Sequence, residues 1–445
     1  MSSIHPFSFA GDNILTEFIR DKKMSKSLPP PGTSDIFPEE AASWRFIEES
    51  AIKIFSLYGY GELRTPVFEY TEVFERGIGG DTEVVQKEMY TFEDRGGRSL
   101  TLRPEGTAGV MRALLNTDVM NGNEKRVFYM GPMFRGERPA AGRKRQFHQV
   151  GVENVGHVAP ELDAESILML MHFLEESGIR NSKLQINTRG TAEDRKPAEE
   201  KLREHFSKSE TALCEDCKAR LSRNVWRILD CKQPQCQEFI NSAPDATTFF
   251  SPETRGYFDK VCNALSAGGA DFEVSPRLVR GLDYYVHTVF EVSHPGLGAQ
   301  NAIAGGGRYE IFLPENKKPV IGVGFAAGIE RLLMARESLD AGLPEKGPGC
   351  VFLAALGEKA RDFNMALASK LRHAGIPVIA EVDIKSLKAQ MRAADRVAAS
   401  FALICGDNEL EKNLIVCKNM KTGEQTEMES TSIGEFLKSI GRWHE

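Results

Sequence analysis

No stretch of this 445-residue chain approaches the roughly 20 consecutive apolar residues that a membrane-spanning helix requires. Met1–Lys23 lacks a basic segment followed by an apolar one, so no secretory signal is expected. Eight cysteines are an ordinary number for a reducing compartment, and a cytoplasmic protein with no membrane partner is expected. Excess positive charge is also missing. The net charge is −7, so any contact with nucleic acid must come from local patches. No segment has the glycine spacing of a P-loop or a Rossmann fingerprint, and there are no internal repeats or low-complexity tracts. What remains, 41% hydrophobic and 27% charged residues, describes a globular chain with room for two to four domains.

The most informative stretch is Phe134–Gln149, FRGERPAAGRKRQFHQ. Arg135, Arg138, Arg143, Lys144 and Arg145 fall within eleven residues and face one acid, Glu137. Alternating residues before and after it predict strand, basic loop, strand. Such a hairpin can lay fixed cations along a polyphosphate. A solvated basic loop is the alternative.

The rest of the chain divides unevenly. Residues 1–28 carry no usable signal and form an N-terminal extension, and Met24 is a candidate start. Trp44, Ile47, Ala51, Ile54, Phe55 and Tyr58 recur at helical spacing, stopped by Gly59 and Gly61. Leu63–Tyr70 reads as a strand that Pro66 confines to an edge or interface. Ser99–Gly106 reads as a strand and turn, Ala108–Leu115 as a helix, and Leu184–Asn187 as a strand. Residues 192–265 are helical and polar and hold five cysteines. The strand pattern returns over Arg277–Val292. After a Gly/Pro-rich linker at 342–349, strands and helices alternate to residue 445, an α/β pattern with a parallel-leaning sheet.

Four more segments carry candidate chemistry. Glu105 and Thr107 sit at a strand end, where the carboxylate could hold an ammonium group or be an exposed turn acid. Arg280 and Asp283 precede Tyr284 and Tyr285, and strand alternation would let only one tyrosine face a pocket. Gly305–Gly307 either admit a ligand closely or form a hairpin turn. Arg331 falls near a helix start, favourable for phosphate, or is merely solvated there. Separately, Cys214/Cys217 and Cys231/Cys236 have the spacing of a four-thiolate zinc site, against four ordinary thiols. Lys385, Lys388, Arg392 and Arg396 share one face of a predicted helix, a candidate nucleic-acid contact or a solvated face.

Together these segments resemble the histidyl-tRNA synthetase family of class II aminoacyl-tRNA synthetases over about residues 29–445. Tyr60–Tyr70 resembles motif 1, with Gly80–Phe92 following as in the family. Phe134–Glu153 resembles motif 2 and Gly324–Leu333 motif 3. Leu278–Tyr285 with Ala304–Tyr309 resembles the histidine signature. The resemblance implies an α+β fold: an antiparallel-sheet catalytic domain over 29–341, interrupted by the helical insertion at 192–265. An α/β anticodon-binding domain follows at 350–445.

It also implies the reaction, ATP-dependent formation of histidyl-adenylate and transfer to the 3′ end of tRNA(His) by a homodimer, with magnesium on the ATP. Arg135 and Arg280 would stabilise the reacting α-phosphate; Glu137, Arg143, Phe147 and Arg331 would bind ATP, with Phe147 stacked on adenine. Glu105, Thr107, Gln149, Glu153, Arg280, Tyr284 and Tyr285 would bind histidine. If the cysteines take zinc, it is expected to stabilise the insertion and not the active site. The chain departs from the family after Tyr309, where Glu310-Ile311-Phe312 replaces the usual Asp-Gly-Leu. The alternative function is that of the family's inactive paralogues, regulatory subunits of histidine biosynthesis. These typically lack both the anticodon-binding domain and the residue corresponding to Arg280.

Overall fold

A computed structural model describes residues 28–439, apart from 80, 81, 83, 116, 118, 120–122, 299, 314–317 and 343–348. Residues 1–27 and the core of the expected linker lie outside the described residues, as do three residues of the Gly80–Phe92 stretch. The chain forms two compact units, divided between Gly342 and Leu343.

The first unit is built on an eight-stranded sheet. Its order is Gly61–Glu62, Lys125–Phe134, Gln146–Val155, Val320–Gly328, Ala302–Ile311, Tyr285–Ser293, Lys183–Thr188 and Glu273–Val274. Only the two outermost pairings are parallel. Helices Pro38–Leu57, Pro160–Glu176 and Ile329–Ser338 supply apolar residues to a core that also takes one face of this sheet. Phe55 lies at its centre, with ring centroids 5.6 Å from Phe128, 5.2 Å from Phe173 and 5.8 Å from Phe325. Val150 and Val152 point into this core. Strand periodicity of two therefore sends Phe147, Gln149, Gly151 and Glu153 to the opposite face, where the site lies.

The expected strand over Leu63–Tyr70 is broken at Pro66. Gly61–Glu62 joins the large sheet, whereas Phe68–Tyr70 pairs with Ser99–Leu102 in a separate three-stranded sheet completed by Tyr90–Glu93. Proline has no N–H to give a ladder, so the chain changes sheets around it. The insertion has its own core, which includes Leu202, Phe206, Leu221, Trp226 and Phe250. Helix Pro252–Ala267, at the end of the expected insertion, sends Val261 and Leu265 into the main core instead.

The second unit has five strands in the order Val378–Ala380, Val351–Leu356, Phe401–Gly406, Leu414–Asn419 and Gln425–Glu429. The first three are parallel and the last two antiparallel, so the sheet is mixed. Val351 and Leu353 face one core while Phe352 and Ala354 face another, which is why this strand reads as a continuous apolar run.

Candidate active site

Two adjoining cavities open on the free face of the large sheet. The smaller, about 80 Å³, is lined by acids and phenols: Glu105, Glu153, Tyr129, Tyr284, Tyr285 and Tyr309. The larger, about 360 Å³, is lined by cations that include Arg135, Arg143, Arg280 and Arg331. Arg135, Gln149, Arg280 and Gly305 line both.

Glu105 is not an exposed turn acid, being only 4% exposed. Its Oε2 accepts from the Thr107 N–H at 2.8 Å and its Oε1 from the Ala108 N–H at 2.7 Å, so it closes the first turn of helix Thr107–Leu114. Burial raises its carboxyl above the usual range, and these hydrogen bonds act against that rise. Glu153, 1% exposed, accepts from the Tyr309 hydroxyl at 2.8 Å. Its burial pushes the carboxyl up to about 8, so at neutral pH the folded chain holds it mostly protonated. Gly324, on the neighbouring strand, makes room, because a Cβ there would overlap Glu153 Oε2.

Both Tyr284 and Tyr285 line the small cavity, with ring centroids 4.7 Å apart and planes tilted by 57°. The expectation of one inward tyrosine fails because the strand begins only at Tyr285; Tyr284 closes the irregular segment before it. The expected strand over Arg277–Val292 is shortened accordingly.

Arg280 pairs with Glu291, and its buried Nε has no protein partner, as is also true of Gln149 Oε1. Its guanidinium lies over Gly305, where a Cβ would sit 2.6 Å away. Gly305–Gly307 are therefore not a hairpin turn but the middle of strand Ala302–Ile311, stripped of side chains where an arginine crosses it. The following departure, Glu310-Ile311-Phe312, leaves the strand intact through Ile311, which is fully buried, while Phe312 is exposed.

At the larger cavity every named cation already has a protein partner. Arg135 donates Nε to Pro104 O at 2.9 Å and stands 5.2 Å from the Phe147 ring centroid. Arg143 pairs with Glu137 at 3.3 Å. Arg331 is not a solvated side chain: it donates Nε to Gly142 O at 3.1 Å and Nη1 to Ala302 O at 2.5 Å. Desolvation, then the neighbouring Arg143, lower its pKa.

Several residues at the site had no role assigned from sequence. Tyr309 lies on the same strand face as Gly305 and Gly307, a parity that could have placed it. Arg308, fully buried beside it, donates Nε to Asp163 Oδ1 at 2.8 Å and ties the strand to helix Pro160–Glu176. Arg227 and Asp230 reach the larger cavity from the insertion, and no local pattern announces them.

Elsewhere, Cys214, Cys217, Cys231 and Cys236 bring their Sγ atoms within 4.8 Å of one another. In the second unit Lys385 precedes helix Leu387–Arg396 and pairs with Asp383 at 2.7 Å, so it does not share the helical face expected for it. Ser386 caps that helix and starts it later than the charge spacing suggested. Lys388, Arg392 and Arg396 lie on the helix and are exposed.

An antiparallel sheet carrying arginines beside a small acidic and phenolic pocket, with a separate C-terminal α/β unit, defines a class II aminoacyl-tRNA synthetase. Residues 32–332 match the family model described as histidyl-tRNA synthetase, and residues 350–440 match an anticodon-binding domain. A histidine–tRNA ligase of a Geobacillus species is 47% identical over 416 residues, 92% of this chain and 98% of that protein. The histidine–tRNA ligase of Bacillus subtilis is 45% identical over 92% of this chain and 97% of its own length. The crystal structure of apo histidyl-tRNA synthetase from S. aureus superposes with a TM-score of 0.76 at 37% identity, covering 92% of this chain and 99% of that one. The chain belongs to the histidyl-tRNA synthetase family. The regulatory-subunit alternative is not favoured, since the matched anticodon-binding domain and Arg280 are both present.

Proposed function

We infer that the paired cavities carry out this family's reaction, the ATP-dependent attachment of histidine to tRNA, with the small cavity taking the amino acid and the large one the nucleotide. The observation that carries this is the shared boundary: Arg280 and Gln149, each with an unpartnered buried polar atom, line both cavities where carboxylate and α-phosphate would meet.

Both reactants are anionic, so the barrier is largely electrostatic and fixed cations lower it. Arg135 and Arg280 neutralise charge at the α-phosphate. Arg143 and Arg331 hold the distal phosphates, Glu137 orients Arg143, and Phe147 offers a face to adenine. Magnesium would come with ATP as part of the substrate and would supply countercharge to its phosphates beside these arginines. Glu105 accepts the histidine ammonium, with Thr107 and Gln149 beside it. Glu153, Tyr284 and Tyr285 meet the imidazole, so that both ring nitrogens are read by buried polar groups and apolar analogues leave those groups unpaired. No general base is needed for a carboxylate nucleophile.

The protein acts as a homodimer in the cytoplasm. Exposed Phe68, Tyr70, Tyr90 and Phe92 gather apolar surface on the small sheet, as an isologous interface requires. The four-cysteine cluster takes zinc. Lys388, Arg392 and Arg396 contact tRNA, Lys385 adding charge from the adjacent loop.

ATP–pyrophosphate exchange with each of the twenty amino acids tests the assignment: exchange with histidine alone is expected, and exchange with another amino acid, or with none, overturns it. For the tRNA face, Lys388→Glu with Arg392→Glu should weaken tRNA binding and cut the salt slope by about one for each phosphate no longer neutralised. An unchanged slope removes these residues from the interface.

A further inference from the structure

The segment that carries Arg280 is fastened to the insertion as well as to the sheet. Arg277 donates Nη1 to Pro244 O at 3.2 Å, and Nη2 to Asn241 O at 3.1 Å and Ala243 O at 2.5 Å. Val279 belongs to the insertion's apolar core, with Leu221, Trp226 and Cys236. Asn224 donates Nδ2 to Asp283 Oδ1 at 3.0 Å. Arg280 is thus flanked on both sides by residues that the insertion grips. From the same insertion Arg227 and Asp230 line the nucleotide cavity. The insertion therefore borders the active site.

Arg227 and Asp230 fall between the two cysteine pairs, in the stretch bounded by Cys217 and Cys231. A tetrahedral zinc ion with Zn–S bonds of about 2.3 Å puts its sulfurs roughly 3.8 Å apart. Cys214 Sγ and Cys231 Sγ lie at 3.8 Å, and all four sulfurs lie within 4.8 Å. The Cys214 N–H donates to Cys236 Sγ at 3.4 Å and the Gln233 N–H to Cys231 Sγ at 3.4 Å, which suits sulfurs carrying thiolate charge. Without helix Pro252–Ala267, which packs on the main core, the insertion is residues 192–251, a size at which a metal commonly supplements the core.

We propose that a zinc ion held by Cys214, Cys217, Cys231 and Cys236 keeps the insertion in the shape that aims Arg280, Arg227 and Asp230 into the active site, so that adenylate formation depends on a metal that touches neither substrate. The proposal rests on the zinc reading above and adds the coupling to it. Arg277 is a positioning residue that transmits the coupling, since it grips the insertion three residues from Arg280.

The test uses the full-length protein purified without chelator. Elemental analysis should find close to one zinc per chain, and Cys236→Ser should lose it. The same variant should lower kcat for histidine-dependent ATP–pyrophosphate exchange by on the order of tenfold. Arg277→Ala should keep its zinc yet lower kcat in the same sense, and Arg277→Lys should recover part of the loss. Arg277→Ala also keeps the test open if Cys236→Ser fails to fold. Trace zinc with four freely titrating thiols overturns the metal reading and the proposal with it. A zinc-loaded Arg277→Ala protein of unchanged kcat overturns the coupling while the metal site stands.

Discussion

The smaller cavity, proposed here as the amino-acid end, and the larger, proposed as the nucleotide end, share Arg135, Gln149, Arg280 and Gly305, yet they are assembled in opposite ways. At the amino-acid end the acids are fixed by hydrogen bonds they accept: Glu105 from two backbone N–H groups and Glu153 from Tyr309. Both are buried. At the nucleotide end the cations are held by partners that polyphosphate must displace or share: Glu291 for Arg280, Glu137 for Arg143, backbone carbonyls for Arg135 and Arg331. Selectivity for a small planar ring needs rigid, desolvated groups. A flexible triphosphate needs charge that can be re-paired. The division follows from the chemistry of the two substrates.

The largest expected effect lies where the ends meet. Arg280→Ala should slow histidyl-adenylate formation by on the order of 10²-fold or more, as loss of an oxyanion donor does. Transfer from preformed adenylate should suffer less, because the α-phosphate has by then become the leaving group. A pre-steady-state burst of unchanged rate would remove Arg280 from the transition state. Next comes Gly305→Ala, which leaves the arginine in place but puts a methyl group 2.6 Å from its guanidinium. Displacement of that side chain should cost roughly tenfold to a hundredfold in kcat, in step with Arg280→Ala. If the two substitutions combined cost the product of their separate effects, the glycine acts through something other than Arg280.

Much of this site can be read in the chain before folding. Arg135, Arg143, Glu105, Gln149, Arg280 and Arg331 stand in local patterns, and the cavities gather them all. What local patterns miss is set by contacts between distant segments. Gly305–Gly307 look like a turn until Arg280, on another segment, is seen crossing them. Arg308 joins Asp163 from 145 residues away, and neither residue's neighbours announce the pair. Pro66 marks an interruption, but the chain's transfer from one sheet to another depends on which strands lie beside it. The insertion looks separable because its polarity differs, whereas contacts such as those of Arg277, Val279 and Asn224 reveal its grip on the active site. Lys385 seems to share a helical face because charge spacing carries no record of where Ser386 starts the helix.

Glu153→Gln tests the rigid end. The amide keeps the shape but cannot give up a proton to become a carboxylate when the imidazole binds, so the KM for histidine should rise about tenfold, the worth of one hydrogen bond to a charged group. The KM for ATP serves as the internal comparison and should move by less than about threefold. Equal rises in both constants would mean that the two ends are not separately built.

The smallest effect should appear in stability, and it separates the ends by pH. The Glu153 carboxyl is raised from an ordinary value near 4.5 to about 8 in the folded chain. Between those values the folded chain holds a proton that the unfolded chain has released, so the free energy of unfolding falls as pH rises through this window. Above about pH 8 the folded form ionises as well and the penalty stays constant. Glu105, whose charge raises Glu153 further, acts in the same sense. Glu153→Gln removes the Glu153 part of this dependence. Without substrates, the variant should therefore match the parent near pH 5 and melt about 2 °C or more above it at pH 8.5. Arginine substitutions at the nucleotide end should show no such trend, because guanidinium groups stay protonated throughout the range. Melting curves whose difference is the same at pH 5 and pH 8.5 would mean that Glu153 is charged before histidine binds. The contrast between a neutral, enclosed pocket and a charged, re-pairable one would then fail at its first residue.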